Sequence, residues 1–154
     1  MPFSRIDFSD KNSDFLYEYI KQYFADMKEM TETQDFDVLS HLTVPIRYIN
    51  GKYNKNFDIS VFMPEIENIL KELIKREKTL ELNTSGIGDT PFYPDETILK
   101  LYKSSGGERI SLGSDSHTPE NLTHNLFEGA GLLKNIGFDE ITYYMERKPV
   151  TYRI

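Results

Sequence analysis

The stretch Arg109-Ile110-Ser111-Leu112-Gly113-Ser114-Asp115-Ser116-His117-Thr118-Pro119-Glu120 passes from a strand pattern to a helix start. Residues 109–114 are β-capable and end in a polar tip. Thr118, Pro119 and Glu120 then supply a cap, a first-turn proline and an acidic first-turn residue. The helical spacing of Leu122, Leu126, Ala130 and Leu133 predicts one helix from there to Gly137. A strand running straight into a helix through a polar tip is one βα unit.

The same order recurs upstream. Residues 36–42, Phe36-Asp37-Val38-Leu39-Ser40-His41-Leu42, form a short apolar run that reads as a buried strand ending at His41. A polar loop holding Asn50-Gly51-Lys52 leads to Ile66, Ile69, Leu70, Leu73 and Ile74, a helical stripe with Pro64 in its first turn. Thr79-Leu80-Glu81-Leu82-Asn83 is a second strand, followed by a breaker-dense loop over residues 84–91 and a helix over 94–104 closed by Gly106 and Gly107. Ahead of these units Phe15, Leu16, Tyr19, Ile20, Tyr23, Phe24, Met27 and Met30 predict an amphipathic helix capped by Asn12 or Ser13. Behind them, residues 141–145 are strand-like, a charged turn follows, and residues 150–154 extend that strand or fold back as a hairpin. Strands alternating with helices make the class α/β with parallel pairing, in one domain over residues 1–154.

Composition narrows the function. With 18 basic against 25 acidic residues and a net charge of -7 there is no basic excess to displace counterions, so nucleic acid is not an expected partner. No cysteine is present, which removes disulfides, thiolate metal ligands and thiol nucleophiles together. No apolar run approaches the ~20 residues that span a bilayer, and charge follows Met1-Pro2-Phe3-Ser4-Arg5 where a signal peptide would be apolar. A cytoplasmic protein without membrane contact is expected.

In α/β folds chemistry collects at the C-terminal ends of the strands. That rule selects His41, the Asn83 to Gly86 segment, and Asp115 with His117. An Asp-x-His in extended chain puts carboxylate and imidazole on one face, where they can grip a zinc, manganese or iron ion; a capping carboxylate beside a solvated ring has the same spacing. His41 is either a ligand or a core histidine bonded to backbone. Arg47 offers a fork that suits a phosphate, or a surface ion pair. Glu81 is either a buried partner of the site or a carboxylate facing water. His124 reads as an exposed helical residue and receives no function. Neither Gly86-Ile87-Gly88 nor Ser105-Gly106-Gly107 has phosphate-loop spacing, and no G-x-S-x-G elbow is present. Metal-assisted hydrolysis is the reaction class these residues support.

Asp37-Val38-Leu39-Ser40-His41, Glu81-Leu82-Asn83-Thr84-Ser85 and Gly113-Ser114-Asp115-Ser116-His117, with Leu133, Phe138 and Arg147 behind them, resemble in order and spacing the C-terminal half of histidinol-phosphatases of the polymerase-and-histidinol-phosphatase (PHP) superfamily. The resemblance covers residues 36–147. It implies part of a distorted, TIM-like (β/α)7 barrel, here about four parallel strands with flanking helices, and a phosphomonoesterase acting on L-histidinol phosphate in histidine biosynthesis. It implies His41, Asp115 and His117 as ligands of a divalent metal (Zn, Mn or Fe), Asp115 also as a catalytic residue orienting the attacking hydroxide, and Arg47 as the substrate-phosphate ligand. The family's N-terminal half carries a His-x-His pair and further ligands with no counterpart before Phe36, so a full metal cluster is not expected within this chain alone. A half-barrel also leaves an apolar interior to be covered by a complementing N-terminal half, by a homo-oligomer or by the 13–30 helix. Two other readings go with the resemblance: a non-catalytic PHP-like binding or assembly domain, and a PHP phosphoesterase for another small phosphoester.

Overall fold

A computed structural model describes residues 5–86 and 92–154. Part of the expected 84–91 loop, including Ile87 and Gly88, and the first four residues lie outside the described residues.

Helix α1 (Ser13–Thr33) starts where its sequence stops it from fraying: the Asn12 side chain accepts a hydrogen bond from the Phe15 amide at 2.9 Å. Leu16, Ile20, Phe24 and Met27 form its buried stripe. Strand β1 (Val38–Leu39) follows, then a three-residue helix α2 (Val44–Ile46) and a wide π-helical turn over Arg47–Lys52. The expected polar loop at 50–52 is therefore helical. Asn50 closes it by exchanging two hydrogen bonds with the Phe57 backbone. Helix α3 (Met63–Lys75) buries Ile66, Ile69, Leu70 and Leu73 and packs against α1. Arg76 at its C-terminal end donates to the Thr31 carbonyl of α1.

Strand β2 (Thr79–Asn83) is central in a three-stranded parallel sheet of order β1-β2-β3, with β3 at Ile110–Gly113. Leu80 pairs with Ile110 and Leu82 with Leu112, so one face of the sheet is apolar, while Thr79, Glu81 and Asn83 point to the other. Helix α4 (Glu96–Ser104), capped by Asp95, lies between β2 and β3 in sequence. Helix α5 (Leu126–Ile136) sits close on the apolar face: a Cβ at Gly129 would come within 2.9 Å of Leu112 and Thr84. One buried cluster runs from Phe8 to Phe138.

Three expectations change. About four parallel strands were expected, and the described residues form three. Strand β4 (Glu140–Met145) instead pairs antiparallel with β5 (Lys148–Arg153), which resolves the open reading of the C-terminal tail in favour of a hairpin. Only Glu146 and Arg147 separate the two strands, both at positive φ, and so short a connection forces antiparallel return. The helix expected from Thr118 to Gly137 is split into a 3-10 turn, Pro119–Asn121, and α5. Asn125 between them adopts φ 52, a left-handed conformation asparagine tolerates, and Thr84 Oγ1 donates to the His124 carbonyl at 2.6 Å, drawing that residue out of helical pairing. The first strand is two residues long, because it pairs only with β2 and turns away before His41.

The hairpin turn is tied to the start of β1. Arg147 Nη1 and Nη2 donate to Asp35 at 2.8 and 2.9 Å, and Nε and Nη2 to Asp37 at 3.1 and 3.2 Å. The Arg147 guanidinium, with help from Lys78, holds the Asp35 carboxyl down at about 2, against an ordinary 3.8. A depressed folded-state pKa gives stability that is present above the ordinary value and disappears as pH falls through the folded one. The stability difference between the parent and Arg147→Ala is thus expected to hold at neutral pH and to close as pH falls from 3.8 to about 2, followed by denaturant unfolding at stepped pH. A difference unchanged across that range would show that the Asp35 pairing contributes nothing.

Candidate functional site

Beyond the C-terminal ends of the parallel strands the chain makes two left-handed residues, His41 at φ 62 and Asp115 at φ 50. These unusual backbones aim their side chains at each other: His41 Nε2 lies 3.7 Å from Asp115 Oδ2. Arg47, from the π-helical turn, donates Nη1 to the same oxygen at 3.2 Å. Ser85 Oγ lies 3.4 Å from that oxygen and 2.6 Å from Asn83 Oδ1, so its single proton goes to the shorter bond with Asn83. Arg47 and Asp115 side chains are about one-fifth and one-quarter exposed, whereas His41 is 44% exposed. The carboxylate and guanidinium are thus partly withdrawn from water, and their attraction is screened less than that of a surface pair.

A cleft of about 360 Å³ opens over this group, walled by Arg47, Ser85, Asp115, His117, Asn121 and His124. Arg47 keeps donors in reserve: among the described residues its one hydrogen bond is from Nη1 to Asp115, which leaves Nη2 and the second Nη1 proton, while Nε is buried without a partner. The cleft therefore presents a forked cation with spare N–H groups beside a carboxylate and two imidazoles. Such an arrangement can hold an anion and orient what is attached to it.

Of the four residues singled out in the sequence, the structure brings His41, Arg47 and Asp115 together. His117 stands differently. Its Nδ1 meets the Asp115 carbonyl at 2.8 Å and the residue is exposed. The extended chain assumed for Asp115-Ser116-His117 is not formed, because Asp115 is left-handed, so spacing two apart does not put both side chains on one face. Among the described residues no three His, Asp or Glu side chains are grouped so as to hold a metal ion. Asp115 Oδ2 is already shared with Arg47. The described residues therefore do not by themselves fit the divalent metal centre that the resemblance implies.

Sequence reasoning assigned no role to His124, Asn83 or Ser85, and left Glu81 open. His124 is exposed, as read, but it stands in the break before α5 and walls the cleft, with Asn125 Nδ2 donating to its Nε2 at 3.0 Å. Asn125, a residue that favours left-handed backbone, was the available signal for that break. Asn83 and Ser85 were selected only as part of the Asn83 to Gly86 segment; the Ser85 hydroxyl donates to Asn83 Oδ1 at 2.6 Å and orders the cleft floor. Glu81, left open between two roles, accepts from the His41 amide at 3.3 Å.

A scan against protein-family models finds no match. Curated proteins do match. A protein named probable histidinol-phosphatase from Thermotoga maritima is 32% identical over 124 residues, 79% of this chain and 50% of that protein. The histidinol-phosphatase of Lactococcus lactis is 30% identical over 119 residues, 75% of this chain and 43% of that protein. This chain is related to the histidinol-phosphatases. It spans about half the length of the curated relatives it matches. Among solved structures, a histidinol phosphate phosphatase from Lactococcus lactis, determined with Zn, L-histidinol and phosphate, superposes with a TM-score of 0.69. That alignment covers 92% of this chain and 53% of the other at 22% identity, so it carries the fold. The histidinol-phosphatase relationship rests on the sequence identities, and the backbone likeness shows the shared fold. No helix of the described residues is long and apolar enough to cross a membrane.

Proposed function

We propose that this chain supplies the phosphate-holding part of a histidinol-phosphatase-type phosphomonoesterase site, with L-histidinol phosphate as substrate. The observation that carries this reading is that Arg47 and Asp115 meet in the wall of one cleft beyond the strand ends, with His41 Nε2 3.7 Å from the shared Asp115 oxygen. Arg47 binds the phosphate oxygens through N–H groups not used on Asp115, and Asp115 holds the guanidinium in place and serves as the catalytic carboxylate. A divalent metal (Zn, Mn or Fe) belongs to the complete site, supplying a Lewis acid for phosphoester hydrolysis. His41, Asp115 and His117 are this chain's contribution to its donors, and the remaining donors come from outside the residues described. The three parallel strands are on this view a portion of a TIM-like barrel, completed by an N-terminal half or by association with another copy. A cytoplasmic setting and a place in histidine biosynthesis follow from the same reading.

The test is hydrolysis of histidinol phosphate with added Mn²⁺ or Zn²⁺, by this chain alone and mixed with a polypeptide carrying the N-terminal strands of a matched relative. Phosphate release in the mixture and not from the chain alone is expected. No release in either removes catalysis from this chain. One observation favours a second reading, a non-catalytic binding or assembly domain of the same fold: Arg47 occupies the carboxylate a metal would need. That reading expects phosphate binding with no hydrolysis in any mixture. Release from another small phosphoester, with histidinol phosphate untouched, would leave the reaction type standing and change the substrate.

A further inference from the structure

We infer that Tyr23 and Glu81 are positioning residues that clamp the His41 backbone from two sides and thereby aim its imidazole at Asp115. His41 is left-handed at φ 62, a conformation that costs a non-glycine residue free energy and persists only where neighbours impose it. Two neighbours do so at His41. Glu81, in the middle of β2, accepts from the His41 N–H at 3.3 Å. Tyr23, on α1 and well away from the strands, donates its hydroxyl to the His41 carbonyl at 2.5 Å. The His41 N–H and carbonyl are thus both taken by side chains from other elements, and the carbonyl also accepts from the Val44 amide at 3.0 Å in a local turn, which leaves the N–H to Glu81. Burial pushes the Tyr23 phenol up from its ordinary range, so it remains a donor at any physiological pH. Gly113 on β3 leaves the room Glu81 needs, since a Cβ there would stand 2.9 Å from Glu81 Oε1.

Helix α1, which precedes the 36–147 stretch where the sequence motifs lie, is on this account part of the site and not merely cover for the core. The inference rests on His41 being a residue of the proposed site. Its test is separable from that reading, because the chain has three histidines and their ring signals can be followed one by one.

The experiment is a ¹³C-resolved NMR spectrum of the imidazole rings in the full chain, assigned with single histidine substitutions. Tyr23→Phe and Glu81→Ala are each expected to move the His41 ring signal toward the position of free histidine while His117 and His124 stay in place. Glu81→Gln, which keeps an acceptor oxygen, is expected to hold His41 where it is in the parent. A His41 signal unmoved by both Tyr23→Phe and Glu81→Ala overturns the inference. So does a joint displacement of all three rings, the mark of general loosening. Should Tyr23→Phe fail to fold, the Glu81→Ala and Glu81→Gln pair makes the same distinction. Titration of the parent with inorganic phosphate is read separately: no response at any ring or at the Arg47 side chain overturns the phosphate site, whereas the displacement of His41 judges the clamp.

Discussion

Arg47→Ala is expected to weaken binding of inorganic phosphate about 100-fold, measured by calorimetry or ³¹P NMR titration. The guanidinium has five donors, of which one on Nη1 is used on Asp115 and Nε is buried, so Nη2 and the second Nη1 proton form the fork left for phosphate. A phosphate taking two parallel charge-assisted bonds from the remaining fork gains on the order of 3 kcal/mol, and about 1.4 kcal/mol corresponds to each tenfold in affinity. A second effect has the same sign. With Arg47 gone, the Asp115 carboxylate faces the cleft without its 3.2 Å cation and repels an incoming anion. Arg47→Lys restores the charge but not the fork, so a smaller loss, about tenfold, is expected. Asp115→Asn added to Arg47→Ala removes the repulsion and is expected to recover part of the lost phosphate affinity. A variant Arg47→Ala that binds phosphate as the parent does would sink the proposal that this cleft is a phosphate site.

How much of this was readable before the fold was known depends on the range of the forces involved. Helices α1 and α3 were legible because their buried residues recur along the chain at helical steps, and burial of a stripe needs no knowledge of the partner. Strands β2 and β3 were legible as short apolar runs between breakers. From there the strand-end rule located His41 and Asp115 without any contact information. What stayed hidden was set by partners distant in sequence. The left-handed turn at His41 depends on Tyr23 and Glu81, 18 and 40 residues away. The break at Asn125 depends on Thr84, whose hydroxyl takes the neighbouring carbonyl. The turn of His117 onto the Asp115 carbonyl follows from a backbone angle that residue spacing does not report. Patterns local to an element survive in the sequence; side-chain to backbone bonds between elements do not.

The largest expected loss of stability lies away from the cleft, at Phe62. This side chain, 1% exposed, sits in the 3-10 turn Ile59–Phe62 just ahead of α3. Its ring centroid is 5.0 Å from Tyr17, 5.6 Å from Phe24 and 6.2 Å from Phe57, so it joins α1 to α3 through an aromatic cluster. Phe62→Ala removes the ring and leaves a cavity whose walls are other rings that cannot collapse onto it cheaply. A cost of about 4 kcal/mol is expected, a large share of the roughly 5–15 kcal/mol that holds a typical domain together. Phe62→Leu refills most of the volume and is expected to cost less than half as much. Urea unfolding should show the midpoint falling with the slope unchanged, since the surface exposed on unfolding is nearly the same. Arg47→Ala is expected to show the opposite pattern, a lost ligand with a midpoint close to the parent's. The contrast makes the two substitutions a joint test of where each residue acts. If Phe62→Leu, still folded at 25 °C, lost phosphate affinity as Arg47→Ala does, the aromatic cluster would be coupled to the cleft through α1. The separation of core from site drawn here would then be wrong.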